Sequence, residues 1–162
     1  MITTALIHQY VDYDRWASML FVQRLSAEPP AVLDAPVASS FPSLRSTVLH
    51  LRDAINAWYR RLDGLAPQWP AEEGTDLEGL LRHGGLFHAK VKAMDEAALS
   101  RTVNYTDLRG NAHAQPAWQM IMHACNHATY HRGQLVTIMH ALGLKDIPST
   151  DLVKYQRSLP RP

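Results

Sequence analysis

The fold is decided by residues 117–142, AWQMIMHACNHATYHRGQLVTIMHAL, which Gly143 follows. Apolar residues recur there every three or four positions, the period that places side chains on one face of an α-helix. Glycine is favoured just after the last helical residue, so we expect the helix to end at Gly143. His123, His127 and His131 follow one another at four-residue spacing. Since four residues are just over one turn, these imidazoles lie along one side of the helix.

Two of these imidazoles point inward. At about 100° per residue, His131 falls near the middle of the apolar stripe and His127 just inside its edge. His123 and Gln134 lie at the rim, and Tyr130 lies further out. The apolar stripe itself consists of Ala117, Met120, Ala124, His131, Leu135, Ile138 and Leu142. Inward histidines bonded to backbone or water are one interpretation, but a pair at this spacing favours a metal ion held between bundle helices.

The residues around the histidines restrict the metal chemistry. The H-E-x-x-H motif is excluded, because Ala124 follows His123 and Ala128 follows His127. None of the five Glu residues forms the Glu-x-x-His pair of a di-iron bundle, and no Cys-x-x-Cys exists. An all-His site, or His with water, suits a divalent transition metal rather than Mg or Ca. We expect Zn or Ni first, with Fe, Mn or Cu as alternatives.

A third ligand must come from another part of the chain. His50 is a modest favourite on geometry, because it lies mid-way along a predicted helix at the edge of its apolar face. A histidine at such an edge is also commonly solvated, so geometry leaves the choice open. The candidates are His8, His50, His83, His88, His113 and His140.

The rest of the chain predicts an all-α fold. Helical periodicity covers residues 3–26, 43–62, 76–100 and 117–142, with Ser43 and Thr75 as N-caps and Gly84-Gly85 inside the third helix. Residues 102–116 are expected to be extended or irregular, and 102–106 can form a short strand before the last helix. The tail has room for one short helical turn. Four helices with a longer first connection suggest a four-helix bundle in one domain, residues 1–162.

Composition excludes several classes of function. The formal net charge is +1 with no basic run, which argues against a nucleic-acid partner. No stretch of about 18 apolar residues suggests a membrane span, and Asp12 and Asp14 stand where a secretory apolar run would lie. The single Cys125 excludes an intramolecular disulfide and fits a reducing compartment. We expect a cytoplasmic protein.

Four places in the sequence together resemble the DinB/YfiT-like family of metal-dependent proteins. The most specific is NHATYHRGQ at 126–134. The second and third are YDRWA at 13–17, and LHL at 49–51 leading to Trp58 and Arg61-Leu62. The fourth lies near the end and consists of Gly143, Pro148, Asp151-Leu152 and Tyr155. The resemblance implies an up-down-down-up four-helix bundle. It also implies a metal bound by His50, His127 and His131. Tyr130 departs from the family, which often has a second His before the last ligand.

The resemblance also carries expectations about function. It implies a metalloenzyme of transferase type that moves sulfur from a low-molecular-weight thiol to an electrophile, and a homodimer. A metal-dependent hydrolase and a non-catalytic metal-binding bundle are the alternatives. His123, Tyr130 and Gln134 are pocket candidates.

Several neighbours of the motif carry expectations of their own. Gln134 can support His131 from behind, and Arg132 is expected to make a structural contact rather than to bind a substrate carboxylate. Gly133 would allow close helix packing. Cys125 faces away from His127 and is expected to be neither ligand nor nucleophile. Tyr13 and Trp16 are expected to be packing residues.

Overall fold

The computed structural model describes residues 4–160, and the predicted helix start at Thr3 lies outside them. The protein is mostly helical (61%), with a two-stranded sheet. In chain order the described elements are α1 (Thr4–Leu25), α2 (Pro30–Leu33), α3 (Leu44–Arg61), α4 (Glu78–Lys92), α5 (Glu96–Ser100), β1 (Thr102–Thr106), β2 (Ala112–Pro116), α6 (Ala117–Ala141) and α7 (Leu152–Ser158).

The four long helices share one apolar core. Helix α1 contacts α4 and α6, and α3 contacts the same two helices. Each long helix contributes fully or almost fully buried side chains, among them Phe21, Leu51, Phe87 and Ile121. None of the helices described between residues 4 and 160 is long and apolar enough to cross a membrane.

The two helices that carry the histidines begin and end where the sequence predicts. Ser43 caps α3 in a capping box: its Oγ accepts from the backbone N–H of Ser46 at 3.1 Å, and its own N–H donates to Ser46 Oγ at 2.9 Å. Helix α6 ends at Ala141, and Gly143 adopts a positive φ of 71°. Local sequence therefore fixes the start of α3 and the end of α6.

The predicted third helix, residues 76–100, is wrong in two respects. It is divided into α4 and α5, because the Asp95 carboxylate accepts from the backbone N–H of Ala98 at 2.8 Å and starts a new helix. Thr75 is not its cap. Asp76 is the residue whose side chain accepts from the first turn, from Gly79 N–H at 3.0 Å.

The extended segment before the last helix is a hairpin. Strand β1 coincides with the predicted strand, and it pairs antiparallel with β2 in the register Thr102↔Pro116 to Thr106↔Ala112. Helix α2 was not predicted, and the predicted helical turn in the tail is α7. The hairpin leads directly into α6, the helix that supplies two of the three clustered histidines.

Candidate metal centre

Three imidazoles meet between α3 and α6. The Nε2 atom of His127 lies 3.1 Å from Nε2 of His131 and 3.3 Å from Nε2 of His50. Within residues 4–160 this is the one group of three or more His, Cys, Asp or Glu side chains whose ligand atoms all lie close enough, within 4.8 Å, to hold a metal ion. The structure thus brings together the three histidines that the family resemblance implies as ligands. The other candidates for the third position lie elsewhere.

Gln134 fixes the orientation of one imidazole. His131 Nδ1 donates to Gln134 Oε1 at 2.8 Å, and Gln134 Nε2 donates in turn to Ser40 Oγ at 2.8 Å. With its proton on Nδ1, His131 directs the lone pair of Nε2 at the other two rings. The supporting contact expected of Gln134 is confirmed.

Burial keeps two of the three imidazoles uncharged. Desolvation, and after it the nearby His131, lowers the pKa of His50 to about 4. Burial likewise lowers the pKa of His127 to about 4, with smaller contributions from His131, His50 and His123. Both rings are therefore neutral at pH 7, the form that ligates metals. Three imidazoles whose ligand atoms converge in this way fit a first-row divalent transition ion.

Aromatic rings surround the imidazoles on their outer side. Phe41 stacks on His50 with ring centroids 4.1 Å apart, and Trp69 lies 5.5 Å from the same ring. Tyr130 lies 5.0 Å from His131 at an interplanar angle of 83°. Tyr130, a pocket candidate from the sequence, thus contacts one of the three clustered rings. Sequence analysis missed Phe41 and Trp69, because both lie in irregular segments. The sequence signal for such a residue is a large aromatic side chain within a polar or Pro-rich stretch.

His123 stands beside the cluster and outside it. Its ring lies 4.8 Å from Trp58 and 6.1 Å from His127, and none of its nitrogens reaches the three clustered Nε2 atoms. Burial, and secondarily the charge of Arg61, lowers its pKa. His123 is therefore an exposed neighbour of the cluster and not a member of it.

An apolar cavity lies behind His127, between the four long helices. Its lining includes Ala124 and Ala128 of α6, Leu51 of α3 and Gly84 of α4. Because residues of different helices line it, the cavity exists only in the folded chain. It brings an apolar surface up to one of the three clustered rings.

The other predictions around the motif have mixed outcomes. Arg132 makes the expected structural contact: it is buried and donates to Asp14 Oδ1 on α1 at 2.6 Å. Cys125 is fully buried, and burial raises the pKa of its thiol well above the usual value, as expected of a residue that does not react. The expectation for Gly133 was wrong. It is exposed, and a Cβ there would meet nothing within 4 Å.

Tyr13 and Trp16 are packing residues, as expected. Tyr13 is 3% exposed and lies 5.9 Å from Tyr155, and Trp16 lies 5.4 Å from the same ring. These three rings tie the tail helix α7 to α1. They lie apart from the imidazoles and make no contact with the cluster.

Two comparisons with known proteins point to the same family. The model of the DinB family matches residues 1–161. Protein DinB of Bacillus subtilis (strain 168) is 21% identical to the chain over 151 residues, which cover 85% of this chain and 87% of that protein. A match over almost the full length, together with three histidines clustered on two helices, leads to one conclusion: the chain belongs to the DinB family.

Proposed function

We propose that the protein binds one divalent transition-metal ion, Zn or Ni first, through the Nε2 atoms of His50, His127 and His131. The observation that carries the proposal is the convergence of three imidazoles, two of them held neutral by burial. When bound, such an ion would keep its full charge and an open position, and would lower the pKa of a thiol or of water there. The role of the chain is to aim the three lone pairs and to keep the rings of His50 and His127 unprotonated.

The proposal includes an up-down-down-up bundle formed by α1, α3, α4 and α6 as a single domain. It is supported by contacts between the helix ends. These contacts are the ones expected if α6 runs parallel to α1, and if α3 and α4 run parallel to each other and antiparallel to that pair. These contacts join Arg24 to Lys145, His8 to Met94, Lys90 to Tyr59 and Trp58 to His123.

The activity we propose is transfer of sulfur from a low-molecular-weight thiol to an electrophile. Within residues 4–160, the hydrogen bonds and ring contacts of the three imidazoles involve no Asp or Glu. A thiol needs only a lowered pKa to become a nucleophile, which a bound ion would supply without a carboxylate partner. A bound ion could activate water in the same way, so the preference for the transferase over the hydrolase is supported by the family resemblance. A homodimer in the cytoplasm completes the proposal, supported by the family resemblance and by the single Cys125.

The first test is the metal content of untagged protein, measured by elemental mass spectrometry. We expect about one ion per chain in the wild type, by analogy with three-ligand metal sites, and loss of that ion in a His127→Ala/His131→Ala variant. His140→Ala is the matched control, because His140 is exposed on the same helix and lies outside the cluster. Wild-type protein that stays free of metal after incubation with Zn and Ni would contradict the proposal.

The second test separates the three functions. A transferase consumes thiol only with metal and an electrophile present, and a hydrolase turns over without any thiol. A His127→Ala variant with full activity would favour a non-catalytic bundle. Metal-loaded protein that is inert across thiols and electrophiles would count against the transferase alone.

A further inference from the structure

The exposed aromatic side chains of this protein lie beside the histidine cluster. Every Phe, Trp and Tyr of the chain falls within the described residues, and Trp69 (42% exposed) and Tyr130 (64%) are the two that are exposed. Trp69 contacts the ring of His50, and Tyr130 contacts the ring of His131. Large aromatic surfaces left in water at one functional site are a common sign of a binding surface.

The position of Trp69 is built by the helix that carries His50. Asp53 accepts from the backbone N–H of Ala71 at 3.0 Å, two residues after Trp69, and Asn56 donates to the carbonyl of Gln68 at 3.4 Å, directly before it. Both Asp53 and Asn56 are buried. The loop is thus anchored on each side of the indole, so the exposure of Trp69 does not come from a loose segment.

Tyr130 reaches the cluster from the other histidine helix. It is adjacent in sequence to His131, and its ring stands edge-on to that imidazole. Phe41, half-buried, stacks behind His50 and also contacts His131. Phe41 therefore packs against the imidazoles, while Trp69 and Tyr130 keep exposed ring surface that a ligand can contact.

The chemistry of the site narrows what these rings would contact. Aromatic faces bind planar groups by stacking or bind cations. A cation is disfavoured a few ångströms from a divalent ion. We infer that Trp69 and Tyr130 form an aromatic platform that selects ligands carrying a planar, uncharged aromatic or conjugated group beside the thiol or electrophile. This inference rests on the proposed metal centre.

The test compares two thiols of the same shape on the cobalt(II)-loaded protein. Benzyl mercaptan and cyclohexylmethanethiol differ in the ring alone. Binding of each is followed by the charge-transfer absorption band from thiolate sulfur to cobalt(II). We expect Trp69→Leu and Tyr130→Leu each to lower the preference for benzyl mercaptan by about three- to tenfold, the size of an aromatic pair interaction. Because the preference is compared between variants, the different acidities of the two thiols cancel.

Matched variants decide between ring contact and general damage. Trp69→Phe and Tyr130→Phe keep an aromatic face and should keep most of the preference for benzyl mercaptan. Leu108→Ala removes an exposed apolar side chain in the hairpin turn and should leave this preference unchanged. An unchanged preference in both Leu variants, with cobalt bound and both thiols binding, would overturn the aromatic platform alone. Failure of the wild type to bind cobalt would overturn the metal centre and the platform with it.

Discussion

His50 and His127 should make the metal-free protein sensitive to mild acid. Each has a pKa of about 4 in the folded protein against an ordinary value of 6.5, because burial disfavours the charged ring. Between those values the unfolded chain binds more protons than the folded one, so the free energy of unfolding falls as the pH falls. The free energy of unfolding begins to fall below about pH 6.5, and this loss is complete below about pH 4.

The measurement is urea unfolding of chelator-treated protein at pH 7 and at pH 5. We expect the wild type to lose more stability between these two conditions than a His50→Gln/His127→Gln variant does, since the amides do not titrate. His123→Gln is measured separately, because burial lowers the pKa of that ring too and it also contributes to the acid sensitivity. Equal losses in the wild type and the double variant would show that other groups carry the acid sensitivity.

Helix α3 is the element on which the site depends most, because it supplies His50 and also anchors the Trp69 loop through Asp53 and Asn56. Its start is held by the Ser43 capping box. We expect Ser43→Ala to lower the free energy of unfolding by about 1 kcal/mol, since it leaves the Ser46 N–H without its side-chain acceptor. Urea unfolding measures this, with Ser39→Ala in the exposed preceding loop as the control. A loss as small as that of the control would mean that the cap contributes nothing.

The elements differ in how far local sequence fixes them. The ends of α3 and α6 follow from Ser43 and Gly143, residues whose effect is confined to the adjacent turn. The third helix was predicted too long because its helical periodicity continues through Asp95, and periodicity does not show that a carboxylate there will cap a new helix. Gly133 was misjudged for a related reason: which neighbour a helix position faces depends on tertiary packing.

At the scale of the whole molecule, a buried ion pair joins α1 to α6. Arg132 Nη1 donates to Asp14 Oδ1 at 2.6 Å and to Ser18 Oγ at 3.2 Å. Asp14→Asn keeps the shape but leaves the Arg132 charge buried without a counterion, which costs about 3–5 kcal/mol. This is a large part of the roughly 5–15 kcal/mol that stabilises a typical domain.

Urea or thermal unfolding measures this loss. Asp34→Asn is the matched control, since its partner Arg45 lies at a similar distance, 2.7 Å, but the Asp34 side chain is 53% exposed. We expect that control to lose less than about 1 kcal/mol, because water screens the exposed pair. Similar losses in the two variants would show that burial does not strengthen the α1–α6 pair.

The sequence by itself determined the helical class, the start of α3, the end of α6 and the inward direction of His127 and His131. These follow from periodicity and capping, which act over one or two turns. Only the tertiary structure decided that His50 meets that pair, that Ser40 supports Gln134, and that Phe41 and Trp69 surround the rings. Those contacts join residues far apart in the chain, and their geometry depends on how the helices and loops pack, which no local pattern encodes.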